Sequence, residues 1–354
     1  MNLLESTMKQ IVPHDADCRA RAHTRLEQLT MPYWALGRLM DLAEELAGMT
    51  GSIKPPVSRK TVVTMAGDHG IIAAGVSKYP QEVTVQMIYN FINGGAGINA
   101  LARLVGAKVV VVDMGVAGDL SELANAGKII SKRAGAGTKN MVAGPAMSRD
   151  EAIRALEGGI EVAQELGSST DIFGTGDMGI GNTSPSAAII NIFSGVSVSE
   201  IAGRGTGIDD EQLIHKIAMI EKSIEINKPE PSNAIDVLAK IGGFEIGGIA
   251  GLILGAASMK KPVLVDGFIS TAGALIAAHL APLSREYMIA SHRSMEKGHQ
   301  IALDCLGKTP LLDLDLRLGE GTGAALSMNL VEAAVRILTE VATFEEAAIS
   351  KADK

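Results

Sequence analysis

Six short apolar runs constrain this chain more than any other feature: residues 60–66 (KTVVTMA), 107–112 (AKVVVV), 170–173 (TDIF), 261–265 (KPVLV), 286–290 (EYMIA) and 310–314 (PLLDL). Their apolar residues are continuous rather than alternating, and each run is followed by a helical stretch. Strands of that kind are buried on both faces, and strand–helix alternation implies a parallel sheet covered by helices on either side. The best-punctuated helix covers 148–167, with Ser148 and Glu151 spaced as a capping box and Gly167 as the stop. The expected fold class is α/β, a three-layer parallel sheet. Residues 1–57 and 331–354 lack strand runs and read as helices, including 329–338 and 344–350. They are expected to pair into a small helical domain beside a large domain over 58–330, with Pro55 and Pro56 as the linker.

Composition narrows what that sheet is packed with and what it meets. Hydrophobic residues make up 47% of 354 and aromatics only 3%, while Gly counts 40, so the layers must be closely packed from small and aliphatic side chains. A net charge of -8 with both signs dispersed argues against a nucleic-acid or anionic-membrane partner, so an anionic ligand would need local donors. Cys18 and Cys305 form neither a disulfide framework nor a metal signature, which fits a reducing cytoplasm. The N-terminal residues carry Glu5 and no long apolar core, so no signal peptide is expected. Residues 241–259 (IGGFEIGGIAGLILGAASM) are the nearest approach to a membrane span, but Glu245 and six glycines interrupt them. They read as a buried helix whose glycines permit close backbone approach.

Ligands of open parallel sheets bind beyond the carboxyl ends of the strands. Those ends carry Asp68 and His69 after the first run, Asp113 after the second, Asp266 after the fourth, and Ser291 and His292 after the fifth. After the last comes Arg317-Leu318-Gly319-Glu320-Gly321. After the third comes FGTGDMGIGNTSPS, whose Gly174-Thr175-Gly176-Asp177-Met178-Gly179 matches GxGxxG, a weak signal alone and one that lies mid-chain here. Its readings are a structural loop or a helix N-terminus offering N–H groups to a phosphate. Gly203-Arg204-Gly205-Thr206-Gly207 is a second such loop with Lys216 nearby, and two anion nests suit one phosphate better than a bridging pyrophosphate. The paired acids of diphosphate-dependent phosphoribosyltransferases are absent, since VVVVDMG offers Asp113 alone.

Glu320 lies between glycines before a long helix. It reads either as a charge at a helix N-terminus or as a partly desolvated general base. His292, Glu296 and His299 fall at i, i+4 and i+7, so a helix there would align them as metal ligands; Gly298 weakens that helix and no metal is assigned. His69 beside Asp68 reads as a local hydrogen-bonded pair.

The blocks GVSKYPQEVTVQM, GDMGIGNTS, GRGTGIDDEQL, GGFE, VDGFISTAGALIA, SHRSMEKGHQ and LLDLDLRLGEGTGAAL occur in that order. Together they resemble the nicotinate-nucleotide:dimethylbenzimidazole phosphoribosyltransferase (CobT) family over nearly the whole chain. The resemblance implies a homodimer with a Rossmann-like large domain and a small helical one, acting in the cytoplasm without cofactor or metal. It further implies transfer of the 5-phosphoribosyl group of nicotinate mononucleotide to a benzimidazole nitrogen in cobalamin nucleotide-loop assembly. Glu320 then corresponds to the base that takes the azole proton. Gly176, Asp177, Gly179, Gly181, Asn182, Gly203, Arg204, Gly205, Thr206, Gly207 and Lys216 map to phosphate and ribose, and Ser77, Tyr79, Gln81, Gln86 and Leu318 to the incoming base.

Two blocks depart from the family pattern. Asp177 stands where GEMGIGNT has a glutamate, and LTMPYWALGRLM replaces LTKPPGSLGRLE, bringing in Met31, Tyr33, Trp34 and Ala35. The second change reads either as a pocket altered for another benzimidazole, a purine or a phenol, or as a repacked domain or subunit contact. A nicotinamide-dinucleotide oxidoreductase, resting on GxGxxG alone, and a catalytically silent nucleotide binder are the other function classes.

Overall fold

A computed structural model describes residues 2–205 and 207–350. Six parallel strands form one sheet: β1 (Lys60–Gly67), β2 (Lys108–Gly115), β3 (Ile130–Ser131), β4 (Ile172–Met178), β5 (Val263–Val265) and β6 (Met288–Ala290). They lie in the order β3-β2-β1-β4-β5-β6. Strand order reverses between β1 and β4, which places the topological switch point, and so the expected ligand crevice, at their carboxyl ends. β1 is buried along its whole length, as its continuous apolar run requires.

Helices cover the sheet. Phe244–Ser258 packs on β1, β2, β4 and β5 and against the helix Arg149–Gly167, while Thr322–Glu340 packs on β1, β4 and β5. A Cβ on Gly159 or Gly251 would strike the backbone of Gly248 or Leu156, so these two helices cross with main chain against main chain. The glycine-rich segment is thus a buried helix, and among the described residues no helix is long and apolar enough to cross a membrane.

Several expectations need correcting. The third strand extends through Met178, so Gly174 and Gly176 of the GxGxxG run lie inside β4 and the helix Thr183–Ser194 starts beyond it. Added Cβ atoms explain the choice of residue: at Gly174 one would lie 3.1 Å from both Ala324 and Met328, and at Gly176 it would strike the carbonyl of Glu320. Residues 310–314 make only an isolated bridge from Leu312 to His292, because the chain turns outward through exposed Leu314 and Asp315, the latter at φ 54°. Residues 344–350 form a turn rather than a helix, and 329–338 are the second half of Thr322–Glu340. Ser148 and Glu151 make the capping box, but Gly167 is the last helical residue, followed by right-handed Ser168, and it gives way to the Met259 sulfur. The two-residue β3 carries no sequence signal.

Candidate active site

At the switch point a cavity of about 450 Å³ is bounded by the loops after β4, β5 and β6, by the helix Glu82–Ile92 and by the turn holding Glu320. It collects Tyr79, Asp177, Gly179, Asn182, Gly205, His292, Arg317, Leu318 and Glu320 from the sequence-derived candidates.

Gly319, Glu320 and Gly321 have φ of 82°, 63° and 98°. Glu320 therefore sits in a left-handed conformation that a glutamate adopts only when its surroundings impose it. Those surroundings are specific. Thr64 Oγ1 donates to the Glu320 carbonyl at 3.0 Å, and Asp266 accepts from the N–H groups of Gly321 at 3.1 Å and Ala324 at 3.0 Å. Asp266 so caps the helix Thr322–Glu340. The Glu320 carboxylate turns away from that helix and accepts the Ile98 N–H at 3.0 Å, in the first turn of the helix Gly97–Val105. Burial raises its pKa above the usual value; the Ile98 bond opposes the rise and the Asp266 charge adds to it.

Asp177 faces the same cavity. Asn182 donates to its Oδ2 at 3.0 Å, while Oδ1 is buried without a partner. Burial first, and then the neighbouring carboxylates of Asp266, Glu245 and Glu320, hold its pKa well above the ordinary range. His292 stands 3.6 Å from Asp266, and that charge outweighs the lowering effect of burial and raises its pKa.

A second cluster supplies positive charge. Lys216 is 1% exposed, and its ammonium donates to Thr183 Oγ1 at 2.8 Å and to the Gly203 carbonyl at 3.1 Å. It thereby ties the start of the helix Thr183–Ser194 to the glycine loop at 203–207. Burial lowers its pKa to about 8. Arg204 is turned to its own loop, donating to the Ile208 carbonyl and pairing with Asp210; Thr206 lies outside the described residues.

The remaining candidates are spread around these two clusters. Gly176 backs the Glu320 turn from β4; Gly181, with φ 93°, bends the loop after β4. Ser77 Oγ bonds locally to Tyr79, Gln86 is exposed, and Gln81 precedes the helix on which Val83 and Met87, one turn apart, line the cavity instead. Ser291 is buried, its hydroxyl donating to Val265 and Asp266 carbonyls. His69 pairs with Glu245 at 2.6 Å and not with Asp68, which accepts the Ala117 N–H. His292, Glu296 and His299 share no helix face, since the helix begins at His299. His299 Nδ1 accepts the Ser294 N–H, leaving Nε2 to donate to Thr271 Oγ1, whose own proton goes to the Gly267 carbonyl. Trp34 does not line the cavity: it donates to Asp41 at 2.7 Å and packs on His23.

Sequence reasoning did not place Thr183, Val83, Met87 and Glu296 at the cavity, which all four line. Thr183 directly extends GIGN, and Val83 and Met87 repeat at helical spacing after GVSKYPQ. Glu296 stands out in the sequence only by a helical metal-ligand spacing, whereas a loop, not a helix, brings it to the wall.

A family model described as phosphoribosyltransferase matches residues 11–349. The nicotinate-nucleotide–dimethylbenzimidazole phosphoribosyltransferase of Syntrophotalea carbinolica is 60% identical over 351 residues, covering 99% of each chain. That of Geobacter sulfurreducens is 53% identical over 354 residues, covering 100% of each. The crystal structure of the Thermus thermophilus protein of the same name superposes with a TM-score of 0.90 at 42% identity, over 96% of this chain and 100% of that one. A family model matching residues 11–349, full-length identity of this order and a shared fold have one reading: the chain belongs to the nicotinate-nucleotide–dimethylbenzimidazole phosphoribosyltransferase family.

Proposed function

We propose that the protein moves the 5-phosphoribosyl group of nicotinate mononucleotide onto a ring nitrogen of 5,6-dimethylbenzimidazole or a related base, in cobalamin nucleotide-loop assembly. The observation that carries this reading is the buried Glu320 carboxylate, held at the cavity by a left-handed turn and one backbone N–H. The azole nitrogen attacks C1′ from the face opposite nicotinate, the C1′–N bond to nicotinate breaks, and its electron pair returns to the pyridinium ring. Nicotinate leaves neutral at that nitrogen, so no acid is required there. The azole proton passes to Glu320, whose pKa is raised by burial, the direction that makes it a stronger base.

Lys216, Thr183 and the glycine loop are suited to hold the 5′-phosphate. Fixing both reactants in this way is worth up to ~7 to 11 kcal/mol of the barrier. Tyr79, Val83, Met87 and Leu318 give the incoming base an apolar wall. The reading requires no cofactor or metal, places the enzyme in the cytoplasm as a homodimer, and divides it into the helical and sheet domains described above. Incubation of the pure protein with nicotinate mononucleotide and a panel of azoles and phenols, with products identified by mass, tests it. Nicotinate release coupled to a new ribosyl–azole phosphate is expected; absence of both refutes it.

A further inference from the structure

Glu296 packs against the glycine loop of the Lys216 cluster, through Gly203 and the Gly205 backbone, and also feels the charge of Arg317 near Glu320. It lines the cavity with Arg317, three residues before Glu320, and the charges of both Lys216 and Arg317 act on it. Its Oε2 is buried without a hydrogen-bond partner and lies against Gly203, where no side chain would fit. The backbone around it is fixed. Its N–H donates to Ser294 Oγ at 3.3 Å and its carbonyl accepts the His299 N–H at 2.9 Å, with His299 itself anchored through Thr271.

A donor whose phosphate rests on Lys216 and whose C1′ faces Glu320 must lay its sugar along the wall between them. That stretch of wall must meet the two ribose hydroxyls, which are hydrogen-bond donors, and a carboxylate is an acceptor only. We infer that Glu296 is a specificity-determining residue that accepts the 2′- or 3′-hydroxyl of the donor ribose and so distinguishes a ribonucleotide from a deoxyribonucleotide. The inference rests on the phosphoribosyl-transfer reading above. A site built to hydrogen-bond a hydroxyl rejects the analogue that lacks it, because the buried polar group is then left unpaired.

The test compares kcat/KM of the full-length wild type, Glu296→Gln and Glu296→Ala for nicotinate mononucleotide and for its 2′-deoxy and 3′-deoxy analogues. Wild type should penalise one deoxy donor by about 10- to 100-fold, in line with a hydrogen bond to a charged group. Glu296→Ala should accept the ribose donor and that deoxy donor within about threefold of each other, and Glu296→Gln, which keeps an acceptor oxygen, should retain part of the discrimination. Equal loss on all three donors in the Ala variant would show that Glu296 acts only through the charge of Lys216 and would overturn the inference. So would a wild type indifferent to both hydroxyls, a result that needs no variant to fold. Failure of wild type to release nicotinate from any donor would overturn the parent reading and this one with it.

Discussion

The Ile98 N–H reaches the Glu320 carboxylate at 3.0 Å, so the proposed base rests on the amino end of a helix other than the one it precedes. That placement favours the ionised form at the same time as burial disfavours it. The result is a partly desolvated carboxylate that, among the described residues, has no cation in a salt bridge with it.

Glu320→Gln keeps the shape and the Ile98 contact while removing the proton acceptor. Turnover should fall by about 10² to 10⁴-fold with binding of nicotinate mononucleotide retained. Steady-state kinetics together with calorimetric titration checks this, and near-normal turnover would remove Glu320 from the chemistry.

Two groups should shape the pH profile of kcat/KM. Activity rises with pH as Glu320 loses its proton, at a pKa above the usual 4.5, and falls as Lys216 loses its own near 8. Lys216→Met should raise KM about 10- to 100-fold and abolish the alkaline limb; a limb that persists in the variant would belong to another group. Lys216 also acts on stability. Its pKa of about 8 in the fold lies below the ordinary 10.5, so its burial penalty is present below pH 8 and is relieved as the pH climbs from 8 to 10.5.

Asp177 is neutral over a wider pH range than an ordinary carboxylate, because its folded pKa is raised. Its contribution to stability is present at low pH and lost as pH rises through that raised value. Asp177→Asn should therefore increase the unfolding free energy at pH 8 and do so less as the pH is lowered. Denaturant titrations at several pH values decide it, and a variant less stable at pH 8 would contradict the assignment.

Gly176→Ala should cost about 1 to 3 kcal/mol, because the methyl group meets the Glu320 carbonyl against a close-packed helix start. It should also lower kcat more than it raises KM, since the turn carrying the base must shift. Unfolding and kinetic measurements on one preparation separate the two effects.

The glycines that mark β4 in the sequence also hide its length. Glycine carries no strand propensity, so the apolar run stops at Phe173, although pairing with β1 carries the strand to Met178. The place of Glu320 at the cavity could be anticipated from a lone carboxylate among glycines before a helix, but its partners Ile98, Thr64 and Asp266 come from three other segments. Helical spacing suggested a shared face for His292, Glu296 and His299 that the weakening effect of Gly298 already argued against, and backbone bonds to Leu312 and Leu316 hold the chain extended before the helix starts. The reading of Trp34 as a pocket residue or a contact depended on packing that periodicity does not encode, and its ring is spent on His23 and Asp41.

The distance along the chain between Thr64 and Glu320, 256 residues, has a consequence for biogenesis. A ribosome must release almost the entire polypeptide before the two ends of that turn's support can meet, so on the proposed role of Glu320 an amino-terminal fragment lacks its base however well its early strands pair. Chains terminated upstream of position 320 would lack both the carboxylate and the turn that Thr64 supports.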